Sequence, residues 1–447
     1  MRARARSNTT AVYLLLGSTL ALSLLGLLMI YSAASVSDYV KQGNSAYHMV
    51  RQLRWLISGA VGLWLASRLD IRYGARNPGL LRNPTVISWG AWGISVLGLL
   101  AVLVAGSTGG GAKSWLDVGP VSFQPSEFAK LGCVLVTAYL LTGWRRRELT
   151  DRELIGRLLG ALFPVFLLVM MQPDMGTAMS IAIPIVLLLL LGDVKVSILA
   201  AIGTVGAVIA GGFMVSAPYR LARLLSFIDP WKDPQGDGFQ IIQSLYAFGS
   251  GGIAGVGLGL SRQKFFYLPA AHTDFIFAIV GEELGLIGTL AVVIAFVTFT
   301  YAGIRIALAA ANPFDRLLAG GIIAMVSTQA VMNMAAVTGL MPITGIPLPL
   351  MSYGGSSLMF TLTCIGLVVG VARRTAGVAA RPKTVSGSRA SGTGSPRIHL
   401  VDNTATRPSR TREAKGSQRE VSSQRRRDGG PHLPGADSGK PPRRRRA

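Results

Sequence analysis

The sequence predicts an all-α polytopic membrane protein with about ten transmembrane helices and a long basic tail. Half of its 447 residues are hydrophobic, only 15% are charged, and the mean hydropathy is +0.46. Apolar runs of roughly 17–25 residues, the length that crosses a bilayer as a helix, recur as far as residue 373. The predicted spans are 11–32, 53–69, 86–106, 125–143, 154–171, 176–192, 195–215, 275–300, 317–340 and 353–373.

The distribution of positive charge predicts the orientation of these spans. Loops on the cytoplasmic side collect Lys and Arg. Such residues are concentrated in the N-terminal segment 1–10 and in the loops after the second and fourth spans, whereas the alternate short loops are poorer in them. With an even number of spans, both termini are then cytoplasmic. The first span is too long for a signal peptide and lacks a small-residue cleavage site, so we expect it to be retained.

Residues 374–447 form the basic tail. From Arg373 onward, 19 Lys and Arg residues face 5 Asp and Glu residues, which gives a net charge of +14 within the +23 of the whole chain. The tail is rich in Ser, Gly, Pro and Arg and cannot bury enough apolar surface to offset its ordering entropy, so we predict that it is disordered. Beside a terminal membrane helix, this charge favours anionic lipid or an acidic partner over nucleic acid.

Residues 216–274 form a large extracytoplasmic loop between the seventh and eighth spans. A loop of this length is usually functional or disordered, and its Trp, Tyr and Phe content favours order, with a short helix over FQIIQSLYAF (239–248). The glycine-rich run 249–261 follows no predicted strand and lacks the Lys-Ser/Thr pair of a phosphate-binding loop. Its glycines are therefore expected to serve tight turns and close packing.

The segment HTDFIFAIVGEELG (272–285) carries the most informative polar residues. Asp274 stands at the outer mouth of the eighth span beside His272, and Glu282 and Glu283 lie roughly 12 Å deeper at helical rise. Carboxylates inside a membrane helix are costly and face a polar partner or an internal cavity. For the two glutamates, a structural link between helices and a role in the site both stay open. For Asp274 the functional interpretation is favoured.

Three further polar or irregular segments fall on the same outward half: 109–130, 172–177 and 339–357. In the first, a Glu and a Lys three residues apart share one face of the fourth span. The third is too rich in Pro and Gly for a helix, and irregular backbone at membrane depth needs protein or a wet cavity around it. Together the segments predict one outward-facing cavity. Its candidate residues in these segments are Lys113, Trp115, Glu127, Lys130, Asp174, Ser352 and Ser356.

Several long motifs carry a resemblance to a known family. They are GAKSWLDVG with FQPSEFAK, QPDMGT, DPWKDPQGDGFQIIQSLYAFGSGG, GVGLGLSRQKFFYLPAAHTDFIFAIVGEELG and GIPLPLMSYGGSS. In this order they resemble the SEDS family of shape, elongation, division and sporulation proteins, and the resemblance covers about residues 11–373. The stretch SRQKFFYLPAAHTDFIFA is more similar to the division members than to the elongation members.

The resemblance implies a peptidoglycan glycosyltransferase that polymerises lipid II, an undecaprenyl-pyrophosphate-linked disaccharide pentapeptide. It implies that Asp274 is essential and that Glu127 and Lys130 face a central cavity. Many relatives carry Arg where this chain has Ser114, preceded by Lys113. Since Lys is a point charge and not a bidentate fork, the role of this position in pyrophosphate binding stays open.

The chemistry of glycan extension suits these residues. A sugar 4-hydroxyl attacks an anomeric carbon with inversion and displaces lipid pyrophosphate. A carboxylate can act as the general base, and cations or a divalent ion such as Mg²⁺ or Mn²⁺ can stabilise the leaving group. We therefore expect Asp274 to be the base or a metal ligand. The candidate phosphate contacts are Arg220, Arg223, Lys113 and Lys264.

Other functional classes stay open. A lipid II flippase would also combine a polytopic body with intramembrane charges, although the polar motifs concentrate on the outer half and no inverted repeat of broken helices is evident. A non-catalytic scaffold and an elongation-type polymerase are further alternatives. The resemblance implies a class B penicillin-binding protein transpeptidase and other division proteins as partners. It also implies a position in the plasma membrane at the division septum.

Overall fold

Helices dominate the part of the chain that the structure, a computed structural model, describes: residues 2–71, 73, 79–109, 112–119, 121–215 and 225–380. Within these residues there are eleven α-helices of 13 residues or more. They are α1 (Arg2–Gln42), α2 (Tyr47–Ser67), α3 (Pro84–Ala105), α4 (Pro125–Arg145), α5 (Asp151–Met171), α6 (Met175–Leu191), α7 (Val196–Val215), α8 (Phe239–Gly251), α9 (Ile276–Ala309), α10 (Pro313–Val337) and α11 (Gly355–Ala380).

The ten predicted spans coincide with the ten long helices in the described residues. By length and composition, α1, α3, α5, α9, α10 and α11 are able to cross a membrane. Helix α6 is apolar but has only 17 residues. The prediction of a polytopic helical membrane protein is confirmed, as is the short helix in the large loop, which is α8. Residues 216–224 of that loop and residues 381–447 of the tail lie outside the described residues.

A small antiparallel sheet between α3 and α4 was not predicted. Its strands are β1 (Ser107–Gly109), β2 (Ala112–Val118) and β3 (Val121–Phe123), in the order β1-β2-β3. Strand β2 pairs Trp115 with Ser107 of β1 and Asp117 with Ser122 of β3. The turn between β2 and β3 contains Gly119 at φ +61°, a conformation that glycine adopts without steric cost. The sheet lies directly before the polar start of α4.

Helix α9 is broken at Gly285, whose φ of +64° and ψ of −158° are not helical. The glycine-rich segment 252–257 runs beside the break and hydrogen-bonds to the main chain on both sides of it. There are four such bonds, of 2.9 to 3.2 Å. The N–H groups of Val256 and Gly257 donate to the carbonyls of Glu282 and Glu283, and the N–H groups of Leu286 and Ile287 donate to the carbonyls of Gly252 and Ile253. Backbone groups freed by a break in a membrane helix need such partners. The predicted close packing of these glycines is confirmed.

We expect Gly255→Ala to destabilise the protein strongly. Gly255 has φ +82°, and a Cβ there would lie 2.1 Å from the carbonyl oxygen of Glu283. The left-handed backbone alone costs an L-residue about 1–2 kcal/mol, and the clash with main chain adds to this. The matched control is Gly249→Ala in α8, where an added Cβ meets nothing within 4 Å. SDS-induced unfolding should show a clear loss for Gly255→Ala and none for Gly249→Ala. Equal behaviour of the two variants would contradict the packing described.

The segment 338–354 joins α10 to α11 without a regular helix or strand. It is nevertheless packed inside the protein, since Leu348, Leu350 and Met351 are buried. A Cβ added to Gly26 of α1 would lie 2.5 Å from the Cα of Met351, so the segment touches the first helix closely. This confirms the prediction of irregular backbone enclosed by protein.

Candidate active site

Asp274 lies two residues before the start of α9 and is half-buried. Its main-chain carbonyl accepts a hydrogen bond from Asn333 Nδ2 of α10 at 2.7 Å. A Cβ added to Gly345, which has φ +67°, would lie 3.9 Å from Oδ2 of the Asp274 carboxylate. The irregular segment 338–354 and α10 therefore hold the main chain at the residue that the sequence singles out.

Two amide side chains of α10 organise this contact. Asn333 Nδ2 also donates to the carbonyl of Ile346 at 2.8 Å, and Gln329 Nε2 donates to the carbonyl of Pro347 at 3.0 Å. The two amides are four residues apart and so share one helix face. Sequence reasoning did not single them out. The signal that could have found them is a pair of amides on one face of a membrane helix, directly before a Pro- and Gly-rich segment.

The predicted pair Glu127 and Lys130 meets the same network. Lys130 Nζ lies 2.8 Å from Glu127 Oε1 and donates to Gln329 Oε1 at 2.7 Å. A chain of contacts thus runs from Glu127 through Lys130 and Gln329 to Pro347. Glu127, Lys130 and Gln329 are 8%, 3% and 3% exposed. These three side chains are buried and packed against one another.

Ser352, Ser356 and Asp174 also lie at this end of the bundle. Ser352 Oγ donates to the carbonyl of Thr273 at 2.5 Å and accepts from the N–H of Leu348 at 2.8 Å. Ser356 Oγ accepts from the N–H of Gln124 at 3.4 Å, just before α4. Ser352 therefore ties the segment 338–354 to the residue before Asp274, and Ser356 ties the first turn of α11 to the residue before α4.

Asp174 serves as the N-cap of α6. Its Oδ1 accepts from the N–H of Thr177 at 2.9 Å and its Oδ2 from the Thr177 hydroxyl at 2.6 Å. A Cβ added to the neighbouring Gly176 would lie 2.2 Å from the carbonyl of Thr344, one residue before Gly345. The turn between α5 and α6 thus packs on the segment that borders Asp274, and Asp174 itself stabilises the helix start.

Glu282 is almost completely buried and holds the large loop against α9. Its Oε2 accepts from the Ser261 hydroxyl at 2.5 Å, and its Oε1 accepts from the N–H of Arg262 at 2.8 Å. A carboxylate that accepts several hydrogen bonds is satisfied without water. For Glu282, the contacts are those of a structural link.

Glu283 joins three parts of the chain. The Ser32 hydroxyl of α1 donates to its carboxylate at 2.6 Å, and Lys264 Nζ lies 3.6 Å from its Oε1. Lys264 also donates to the carbonyl of Gly259 and is buried. The ammonium of Lys264 is therefore engaged within the loop and directed to Glu283.

Lys113, a further predicted phosphate contact, is engaged at the end of α3. Lys113 Nζ donates to the carbonyls of Leu103 and Val104 at 3.0 and 3.4 Å, which caps the end of α3. Trp115 is half-buried in the small sheet. Arg220 and Arg223 lie outside the described residues. In the part of the chain that is described, no group of three His, Cys, Asp or Glu side chains is arranged to hold a metal ion.

His272 lies two residues before Asp274 and packs against aromatic rings. Its ring centroid is 4.8 Å from that of His48 and 5.8 Å from that of Tyr353. The pKa of His272 is lowered from 6.5 to about 4, mainly by burial and then by the neighbouring His48, while Asp38 acts in the opposite sense. His272 therefore presents a neutral imidazole near neutral pH.

The shifted pKa of His272 predicts an acid-sensitive stability. The unfolded chain takes up this proton near pH 6.5 and the folded protein only near pH 4. The free energy of unfolding should therefore fall as the pH is lowered from 6.5 to about 4, with no effect of this group above 6.5. Apparent melting temperatures at pH 7.5 and 5 would check this. The decrease should be smaller in His272→Asn, which does not titrate, and an equal decrease would refute the assignment.

Comparison with known proteins places most of this body in one family. The family model described as "Cell cycle protein", which covers FtsW, RodA and SpoVE, matches residues 13–377. The chain belongs to the FtsW/RodA/SpoVE family. Stage V sporulation protein E of Bacillus subtilis is 39% identical over 373 residues, which are 82% of this chain and 98% of that protein. The probable peptidoglycan glycosyltransferase FtsW of Thioalkalivibrio sulfidiphilus is 40% identical over 370 residues, 80% of this chain and 88% of the relative.

Two solved structures share the fold of this chain. A chain of a peptidoglycan synthase complex, studied for its coordination of polymerization and crosslinking, superposes with a TM-score of 0.65 at 30% identity, over 80% of this chain and 96% of that one. The rod shape determining protein RodA of Thermus thermophilus superposes with a TM-score of 0.58 at 27% identity, over 81% and 96% of the two chains. The matches cover nearly the whole of each relative and confirm the polytopic membrane fold.

Proposed function

We propose that this protein, a peptidoglycan glycosyltransferase of the FtsW/RodA/SpoVE family, polymerises lipid II into glycan strands during septal wall synthesis. The observation that carries the proposal is the match, over about 80% of the chain, to relatives named peptidoglycan glycosyltransferase FtsW at 36 to 40% identity. The geometry supports it: Asp274 stands half-buried just before α9, at the end of the bundle where the three other polar or irregular segments also lie.

In the proposed reaction, Asp274 acts on the acceptor sugar. The 4-hydroxyl oxygen of one lipid-linked disaccharide forms a bond to the anomeric carbon of another, and the bond from that carbon to pyrophosphate breaks with inversion. The Asp274 carboxylate takes the hydroxyl proton, and undecaprenyl pyrophosphate leaves with the bonding electron pair. A positioned general base of this kind accelerates a reaction about 10²–10⁴-fold.

The leaving pyrophosphate needs positive charge, and the described cations of the site are already engaged. Lys130 is paired with Glu127, Lys264 with Glu283, and Lys113 caps α3. Arg220 and Arg223 are thus the remaining predicted contacts, from residues outside those described. The divalent ion expected from the sequence, Mg²⁺ or Mn²⁺ with Asp274 as a possible ligand, stays a prediction.

The test is polymerisation by the purified full-length protein in detergent, with fluorescently labelled lipid II as the only substrate. Glycan strands of several disaccharides, resolved on a gel, would support the polymerase. Detergent micelles have no second compartment, so a flippase would yield no product there. Absence of product together with transfer of lipid II across liposomes would replace the proposal by the transporter. Product that forms only when a transpeptidase partner is added would indicate an enzyme that requires its partner.

The septal role is the finer part of the proposal. The similarity of SRQKFFYLPAAHTDFIFA to division members supports it. The proposal includes a class B penicillin-binding protein as partner. It also places both termini in the cytoplasm, with the tail bound to anionic lipid or to an acidic division protein.

Depletion in cells distinguishes a septal role from a role in elongation. Loss of a division enzyme gives filaments, and loss of an elongation enzyme gives rounded cells. Deleting 376–447 should reduce recruitment of a fluorescent fusion to the septum, and unchanged recruitment would leave the tail only a membrane tether.

A further inference from the structure

Asp38 and His48 form a buried pair where α1 meets α2. Asp38 is 1% exposed, and its carboxylate accepts hydrogen bonds from the main-chain N–H of His48 at 2.9 Å and from the His48 ring nitrogen Nδ1. Asp38 lies in the last turns of α1, beyond the end of the predicted first span at residue 32, and His48 lies in the first turn of α2. A buried carboxylate is costly unless it is paired in this way. The second hydrogen bond fixes the His48 ring in one orientation.

The oriented ring of His48 faces the segment that carries Asp274. His48 lies edge-on to Tyr353 with ring centroids 4.5 Å apart and against His272 at 4.8 Å. The N–H of Tyr353 in turn donates to the carbonyl of His272 at 3.0 Å. Three rings from three parts of the chain therefore pack together two residues before Asp274.

Helix α2 reinforces this contact one turn later. Gln52 Nε2 donates to the carbonyl of Ser352 at 3.1 Å, and Gln52 Oε1 accepts from the N–H of Gly354 at 3.5 Å. Ser352 is the residue whose hydroxyl donates to the carbonyl of Thr273. The start of α2 is thus connected to the main chain on both sides of Tyr353, and through it to the residue before Asp274.

We infer that Asp38 and His48 are positioning residues for glycan polymerisation: the pair orients the His48 ring, which holds His272 and Tyr353 and so sets the position of Asp274. The inference rests on the proposed function. A catalytic group displaced by about 1 Å loses on the order of 10²-fold in rate. The contacts described link His48 to Asp274 through the rings of His272 and Tyr353 and the main chain before Asp274.

The experiment uses the full-length protein and three single variants. His48→Phe keeps a ring but removes the side-chain hydrogen bond to Asp38. His48→Asn keeps a donor close to the position of Nδ1. Tyr39→Ala is the matched control, because Tyr39 is next to Asp38 in the sequence and is 68% exposed. We expect His48→Phe to lower kcat for lipid II polymerisation about tenfold or more with KM changed less than about twofold. His48→Asn should recover most of the loss, and Tyr39→Ala should equal the wild type.

A second measurement does not depend on activity. Diethyl pyrocarbonate acylates accessible imidazoles, and peptide mass spectrometry separates His272 from the other three histidines of the chain. His272 should react several-fold faster in His48→Phe than in the wild type and Tyr39→Ala. If His48→Phe does not fold, the double variant Asp38→Asn, His48→Phe replaces it, since it leaves no unpaired carboxylate buried.

The outcomes separate the inference from the proposed function. An active wild type whose kcat and His272 reactivity are unchanged by His48→Phe would overturn the positioning role and leave the polymerase intact. A loss in kcat that His48→Asn does not relieve, with unchanged reactivity of His272, would also overturn it. A wild type that makes no glycan would overturn the proposed function and the kinetic role, while a faster reaction of His272 in His48→Phe would still support the structural coupling.

Discussion

Asp274→Asn should abolish polymerisation while leaving the protein folded. The substitution keeps the size of the side chain and removes its ability to take a proton, so the rate should fall by about 10²–10⁴-fold, the usual contribution of a general base. The main-chain carbonyl of Asp274, which Asn333 holds at 2.7 Å, is unchanged by the substitution. Initial rates with labelled lipid II and the apparent melting temperature are the two measurements.

The matched control for Asp274→Asn is Asp237→Asn. Asp237 is an exposed carboxylate in the same large loop, so its replacement removes one negative charge from the loop without touching the start of α9. It should retain the wild-type rate. A folded Asp274→Asn enzyme with a normal rate would contradict both the base and the ligand assignments, and an equal loss in both variants would indicate a general effect of loop charge.

The helices could be predicted from the sequence because a long apolar run in a membrane has few possible conformations other than a helix. Each predicted span coincides with a helix, but α1 continues to Gln42, ten residues beyond its predicted end. The first span was predicted to end at residue 32 because the sequence becomes more polar after it. The structure shows why the helix continues: Asp38 is buried and paired with His48 of α2. A contact between two helices decides this boundary, and local sequence does not report it.

The site shows the same division between local and distant information. Asp274, Glu127 and Lys130 could be selected as ionisable residues in membrane-spanning or adjacent segments. The partners that hold them could not, because Gln329 lies 199 residues from Lys130 and Asn333 lies 59 residues from Asp274. The small sheet was missed because its strands are short and glycines and polar residues surround them.

The pairing of the basic residues was also beyond the sequence. Lys264 has several carboxylates within about 20 residues, and only the fold selects Glu283 as its partner. Ion pairs in a membrane protein depend on which helix faces meet. Charge alone therefore identifies candidates for a site but does not tell which of them are already neutralised.

Lys130→Met should be among the most destabilising single substitutions in the membrane body. Lys130 is 3% exposed and pairs with Glu127 at 2.8 Å, so its removal leaves a buried carboxylate without a partner. Breaking a buried pair from one side costs about 3–5 kcal/mol. It also removes the donor that orients Gln329, so that activity should fall even in the fraction that stays folded.

A double variant distinguishes the loss of the pair from the loss of the Lys130 side chain. In Glu127→Gln, Lys130→Met no charge is left unpaired, and replacement of both partners of a buried pair is often close to neutral. SDS-induced unfolding should therefore show most of the stability restored, although the link from Lys130 to Gln329, and with it full activity, stays lost. The exposed Lys195→Met is the matched control and should be close to the wild type. If Lys130→Met alone unfolds like the wild type, then Glu127 has another partner and the buried chain from Glu127 to Pro347 is not what orders this end of the bundle.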